Sequence, residues 1–273
     1  YISDNSLIRF MDELTLYSEY FNVCSSGDGN FQEIQKFLIN LGFSNENIDG
    51  LQFNTVDTQR IAIHWNVLSK LTIKQYIPLL YTIFSSYLEY VSQKPTKTRD
   101  AKKDIILLIK SLATYHYIYN GIQTTATNVV EALYVDYALK FKKSGESTRN
   151  IKTELINKIN DLKNNPTENS EAEEVKNTFI GEFIQLTYSD KPLVNYFFHY
   201  FYNEGNSAVS VPYNIYDYYK DSSDRMNSIE HISSRTVQEG EIQLDSESLN
   251  NIGNLMSLDR RVNGDLQNEP VSE

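Results

Sequence analysis

Over residues 1–206 the apolar side chains recur at helical spacing, and this most constrains the fold. Ile77, Leu80, Tyr81, Phe84, Leu88 and Val91 fall on one stripe at steps of three and four, which predicts an amphipathic helix. Thr72 and Gln75 have the spacing of a capping box at its start, and Pro95 lies past its end. Further stripes run through Ile105, Leu108, Ile109, Leu112 and Tyr115, and through Val175, Phe179, Phe183 and Ile184. Turn chemistry separates them at 26–29, at Asn120-Gly121, at Ser144-Gly145, in the polar run 163–174 around Pro166, and at 204–206. Eight or nine helices result, with no period-two alternation and no fixed repeat. The expectation is an α-helical bundle domain, 1–206.

After Val211-Pro212 the helical period fades, and aliphatic residues gather in short islands at 229–232 and 252–258 between polar stretches. Such islands suit two strands followed by a helix. A second, small unit is therefore expected over 207–273, the fold class being mainly α with a small ββα appendage.

Composition narrows the function. No run approaches the length of a membrane span; the most apolar, 76–90, is broken by Ser85, Ser86 and Glu89. Cys24 is alone, which excludes an internal disulfide framework and cysteine-based zinc knuckles, and a cytoplasmic location is expected. There is no phosphate-binding glycine loop. Twenty Tyr and thirteen Phe invite a base-stacking reading, but most, such as Tyr196, Phe197, Phe198, Tyr200, Phe201 and Tyr202, sit in helical patterns and read as core. His64, His116 and His199 read as packed against their helices.

The net charge of −11 opposes phosphate binding. Basic residues cluster at Lys94, Lys97, Arg99, Lys102 and Lys103, and at Lys140, Lys142, Lys143, Arg149 and Lys152; the plainer reading of both groups is solvated helix ends.

The islands carry the chemistry. The first reads Ile229-Glu230-His231-Ile232; the second contains Gly253-Asn254-Leu255, with Asn263 nine residues after Asn254. This pattern resembles the HNH (ββα-metal) nuclease domain that closes GmrSD-type modification-dependent restriction proteins of phage defence, and the Asn-to-Asn step is similar to that of RNA-guided HNH nucleases. Phosphodiester hydrolysis needs a base to activate water and a divalent cation to polarise the phosphate. The resemblance implies His231 as the base, Asn254 on the second strand as the amide that orients it, and Glu230 and Asn263 as ligands of Mg²⁺ or Mn²⁺. Asn263 would lie on a helix starting near Ser257 or Asp259, where Arg260 and Arg261 could grip DNA phosphate.

The positions after the histidine depart from the family pattern: it has a proline two residues on, where this chain has Ser233. From Asp221 onward there are eleven acidic residues against four Arg and no Lys. Asp57-Thr58-Gln59-Arg60 only superficially echoes the signature of the family's ParB-like nucleotide-binding domain and is given no function. That domain is expected to lie outside this chain, which reads as a fragment ending within the HNH unit. The expected function is a metal-dependent DNA endonuclease or nickase acting on phage or modified DNA. The rival is a non-catalytic helical scaffold that binds DNA or a partner protein.

Overall fold

The structure is a computed structural model that describes residues 4–25, 31–42, 53–71, 74–124, 128–144, 147–164, 172–201, 227–233 and 244–259. The chain forms two compact units, Tyr1–Ala172 and Glu173–Glu273. The junction expected at 206–207 lies outside the described residues, as do the turn residues at 26–29 and 204–206.

The first unit holds α1 (Asp4–Ser25), α2 (Phe31–Asn40), α3 (Thr55–Lys70), α4 (Tyr76–Gln93), α5 (Thr98–His116), α6 (Asn128–Lys142) and α7 (Thr148–Asn164). Helix α4 is its centre, packing against α1, α5, α6 and α7. Burial accordingly extends beyond the expected stripe: Tyr76, Leu79, Ile83 and Tyr87 are buried along with Ile77, Leu80, Phe84 and Val91. The helix also starts later than a cap at Thr72 would allow, with Gln75 at the N-cap position making no side-chain cap bond. Pro78 explains the shift. In the first turn its missing N–H is harmless, whereas in a helix begun at residue 73 it would break an internal bond.

Rings from four helices interlock beside α4. Trp65 lies 5.2 Å from Tyr20, 5.8 Å from Phe37 and 6.0 Å from Phe84, so the core reading of the aromatics holds here. His64, His116 and His199 are all buried. The turn expected at Asn120-Gly121 is absent; Tyr117–Ile122 instead continues α5 as a π-helix. The Asn120 Oδ1 accepts from His116 Nδ1 at 2.6 Å, which holds the widened coil, and the Tyr134 hydroxyl donates to the other ring nitrogen at 2.8 Å.

Buried Asp104 ties three helices: it accepts from Lys152 Nζ at 2.8 Å and from the Tyr87 hydroxyl at 3.3 Å. Four of the ten residues in the basic clusters, Lys152 among them, are engaged in this way. Lys102 pairs with Asp57 at 2.9 Å, Lys140 with Asp136 and Glu154 at 3.0 Å each, and Arg149 with Asp100 at 3.6 Å.

The second unit holds α8 (Ala172–Phe183), α9 (Lys191–Tyr200), β1 (Asn227–His231), α10 (Ser246–Asn250) and β2 (Leu255–Asp259). Phe183 packs edge-on against Phe197 at 4.9 Å, joining α8 to α9. Tyr196 and Phe198 are buried, but Ile184 and Phe201 are exposed. β1 and β2 pair antiparallel, with His231 opposite Leu255 and Glu230 opposite Met256. Ser257 and Asp259, expected at a helix start, lie in β2, opposite Ile229 and Asn227 in the antiparallel register. Residues 260–273 lie outside the described ones. Among the described residues no helix is long and apolar enough to cross a membrane.

Removing the Asp104 carboxylate strands the half-buried Lys152 ammonium. Asp104→Ala is expected to destabilise the fold by about 2–4 kcal/mol, read as a lower denaturant midpoint in chemical unfolding.

Burial pushes the His116 imidazole down to about 4, with the Asn120 hydrogen bond opposing. The unfolded chain therefore takes up a proton near its ordinary pKa while the folded chain does not. The stability that neutral His116 contributes is full above pH 6.5 and falls as pH drops towards 4, by on the order of 3 kcal/mol. In His116→Gln this part of the pH dependence should vanish, as measured by denaturant titrations across that window.

Candidate active site

The candidate site is built where three segments of the second unit meet: the turn after α8, the end of β1, and the end of α10. Asp245 starts α10, its carboxylate accepting from the backbone N–H groups of Ser248 at 2.8 Å and Glu247 at 3.0 Å. Those bonds, that of Ser248 foremost, hold the carboxyl below its usual range. The helix ends at Asn250, and a single 3-10 turn, Ile252–Asn254, leads into β2.

The turn after α8 is stitched to this stretch by backbone bonds. Ile252 N donates to Leu186 O at 2.7 Å and Tyr188 N to Asn250 O at 2.8 Å, while Thr187 and Asn251 form an isolated bridge. The Asn251 side-chain amide adds a bond to Ile184 O. Segments far apart in sequence are thereby held in contact.

His231 ends β1 and is half-buried. Its Nε2 lies 3.3 Å from Asn250 Oδ1. The Asn250 Nδ2 donates to Ser246 O at 2.9 Å, so the amide is oriented with its oxygen towards the imidazole. An amide oxygen only accepts; Nε2 therefore carries a proton, which in the neutral ring leaves Nδ1 as the acceptor. The opposite constraint comes from Tyr188, whose ring lies 5.0 Å from the imidazole at 30°.

Asn254 is buried, and it ends the 3-10 turn ahead of the second strand rather than lying on it. Its Oδ1 accepts from Ser233 N at 2.8 Å and its Nδ2 donates to Leu249 O at 2.8 Å. Its own carbonyl accepts from Ile232 N at 2.8 Å. Asn254 thus clamps the backbone immediately after His231, and the side chain on the ring nitrogen is Asn250. The first bond requires an N–H at 233, which a proline would lack.

Glu230 precedes His231 and points to the other face of β1, as alternation demands. It is half-buried, and among the described residues no hydrogen bond or ion pair engages its carboxylate. One such carboxylate with one amide oxygen is the donor set a hard cation accepts while keeping several waters. No three His, Cys, Asp or Glu side chains gather among the described residues. Asn263, Arg260 and Arg261 lie outside them.

Asn250, Tyr188 and the start of α10 were not singled out by the sequence reading. The helix start had a signal, since Asp245 is an N-cap residue type followed by an acidic residue, Glu247, in the first turn. Asn250 is one of several asparagines and gave none, while Tyr188 lies 43 residues before His231.

Residues 140–273 match the family model described as GmrSD restriction endonucleases, C-terminal domain. No curated protein and no solved structure matches the chain.

Proposed function

Taking as premise that residues 140–273 place this chain among the GmrSD restriction endonucleases, we propose that it hydrolyses DNA phosphodiesters at an HNH-type site. The observation that carries this reading is the geometry of His231: half-buried, with Nε2 on Asn250 so that the neutral ring offers Nδ1 as an acceptor, at the end of a strand whose preceding residue, Glu230, turns a carboxylate without a partner among the described residues to the other face. In this reading Nδ1 of His231 takes the proton of the attacking water. Asn250 fixes the tautomer, and Asn254 fixes the strand end. Glu230 and Asn263 hold Mg²⁺ or Mn²⁺, which supplies charge stabilisation at the phosphate. Arg260 and Arg261 grip the DNA backbone. The substrate is phage or modified DNA, the chain works with a ParB-like nucleotide-binding domain, and the site of action is the cytoplasm.

One observation favours the rival reading, a non-catalytic scaffold that binds DNA or a partner protein: Lys102, Lys140 and Lys152 are spent on internal carboxylates. Plasmid conversion separates the two readings. With Mg²⁺ or Mn²⁺ the wild-type protein should nick or linearise plasmid, and EDTA should stop it. His231→Ala should lose a factor of about 10² to 10⁴ in rate. Equal activity of both proteins would remove His231 from the role of base, and inertness of both on modified and unmodified DNA alike would put the scaffold reading ahead.

Asn250→Ala should lower the cleavage rate by about tenfold with little change in the DNA concentration at half-maximal rate, as expected when the support of a catalytic side chain is lost. Asn250→Asp, which still presents an acceptor to Nε2, should recover most of it. An unchanged rate in Asn250→Ala would return the orienting role to Asn254 or to another group.

A further inference from the structure

From Asp221 onward the chain has no lysine and eleven acidic residues. A strand of DNA brought to His231 therefore meets a negatively charged segment, and an additional cation has to come from elsewhere in the fold. The structure places one there. Lys191, the first residue of α9, holds its Nζ 4.9 Å from the ring centroid of Tyr188, the same ring that lies 5.0 Å from the His231 imidazole. Those two distances laid end to end are the farthest the ammonium can be from the imidazole. Successive phosphates of one strand rise about 3.4 Å along the duplex axis, so this cation reaches a phosphate within a few nucleotides of the one attacked.

Lys191 is exposed, and among the described residues no carboxylate pairs with it, unlike Lys102, Lys140 and Lys152. Its neighbour Asp190 is already engaged: Oδ2 accepts from the backbone N–H and the hydroxyl of Thr187, each at 2.9 Å. Tyr188 is itself fixed by its backbone bond to Asn250. The aromatic face thus holds a flexible side chain over the site without neutralising its charge, and the ammonium keeps its donors for an anion.

Resting on the nuclease reading above, we infer that Lys191 contacts a backbone phosphate of the DNA strand that His231 attacks, with Tyr188 as the platform that positions it. The test uses the full chain in a His231→Ala background, so that a short duplex survives, and measures affinity by fluorescence anisotropy across a salt series. Adding Lys191→Ala should weaken binding several-fold on every sequence tried and reduce the slope of log affinity against log salt by about one. Lys191→Arg, which keeps the charge, should restore both. A loss of structure alone would not change the slope by one charge. Unchanged affinity and slope in Lys191→Ala would overturn the inference, and so would the same losses in Lys143→Ala, which would point to net charge alone. Wild-type plasmid cleavage is run beside it: if the wild type cuts DNA and Lys191→Ala binds normally, only the role of Lys191 falls. If the chain neither binds nor cuts DNA, the nuclease reading falls and takes this inference with it.

Discussion

Among the described residues β1 and β2 pair only with each other, and a two-stranded ribbon is marginal by itself. Its register matters more than its stability. A slip of one residue would exchange the faces of Glu230 and His231 and carry the imidazole away from Asn250. Side chains and loops supply what further strands would. Asn254 binds the backbone on both sides of the crossing, at Ser233 and at Leu249, and the turn after α8 binds residues 250 and 252 from the other edge. These bonds also place the two groups that flank the imidazole, so the strand register and the ring orientation are fixed by one set of contacts.

Electrostatics separate the two units. In the first, basic side chains meet carboxylates of neighbouring helices and serve packing: Asp104 joins α5 to α7 through Lys152 and to α4 through Tyr87. In the second unit, the candidate site has the Glu230 carboxylate without a partner among the described residues, the imidazole of His231 and Lys191 on its aromatic platform. In the proposed reading, a chain of this charge gains little from non-specific attraction to DNA, so affinity is concentrated in a few contacts and in the cation. Such binding is weak away from the right substrate.

The helices of the first unit were legible because the stripes on α4 and α5 bury against neighbours, and the strands because two short aliphatic islands stood among polar residues. The errors have local causes. Pro78 moved the start of α4, and the side chain of Asn120 turned an expected break into a π-helical turn by bonding to buried His116. At the site, Glu230, His231 and Asn254 were singled out from their pattern, and the structure adds what each touches. Asn250 is 19 residues from the ring it holds, Tyr188 is 43 residues from it, and Lys191 reaches the site only through Tyr188. Nothing periodic links such positions; only the backbone bonds at 186–188 and 250–252 do.

Ser233 and Asn254 are best understood together. A proline at 233 would leave the Oδ1 of Asn254 without the N–H it now accepts, and that oxygen would have to find another donor in a buried position. With Ser233 the donor is present, and the nitrogen of the same amide is taken by Leu249 O. Neither end of Asn254 is then turned to His231. The ring nitrogen falls to the next amide within reach, that of Asn250, whose own nitrogen is anchored one helical turn back at Ser246. The backbone N–H at 233 thus coincides with both ends of the buried Asn254 amide being taken by backbone groups, which leaves Asn250 as the amide on the ring nitrogen.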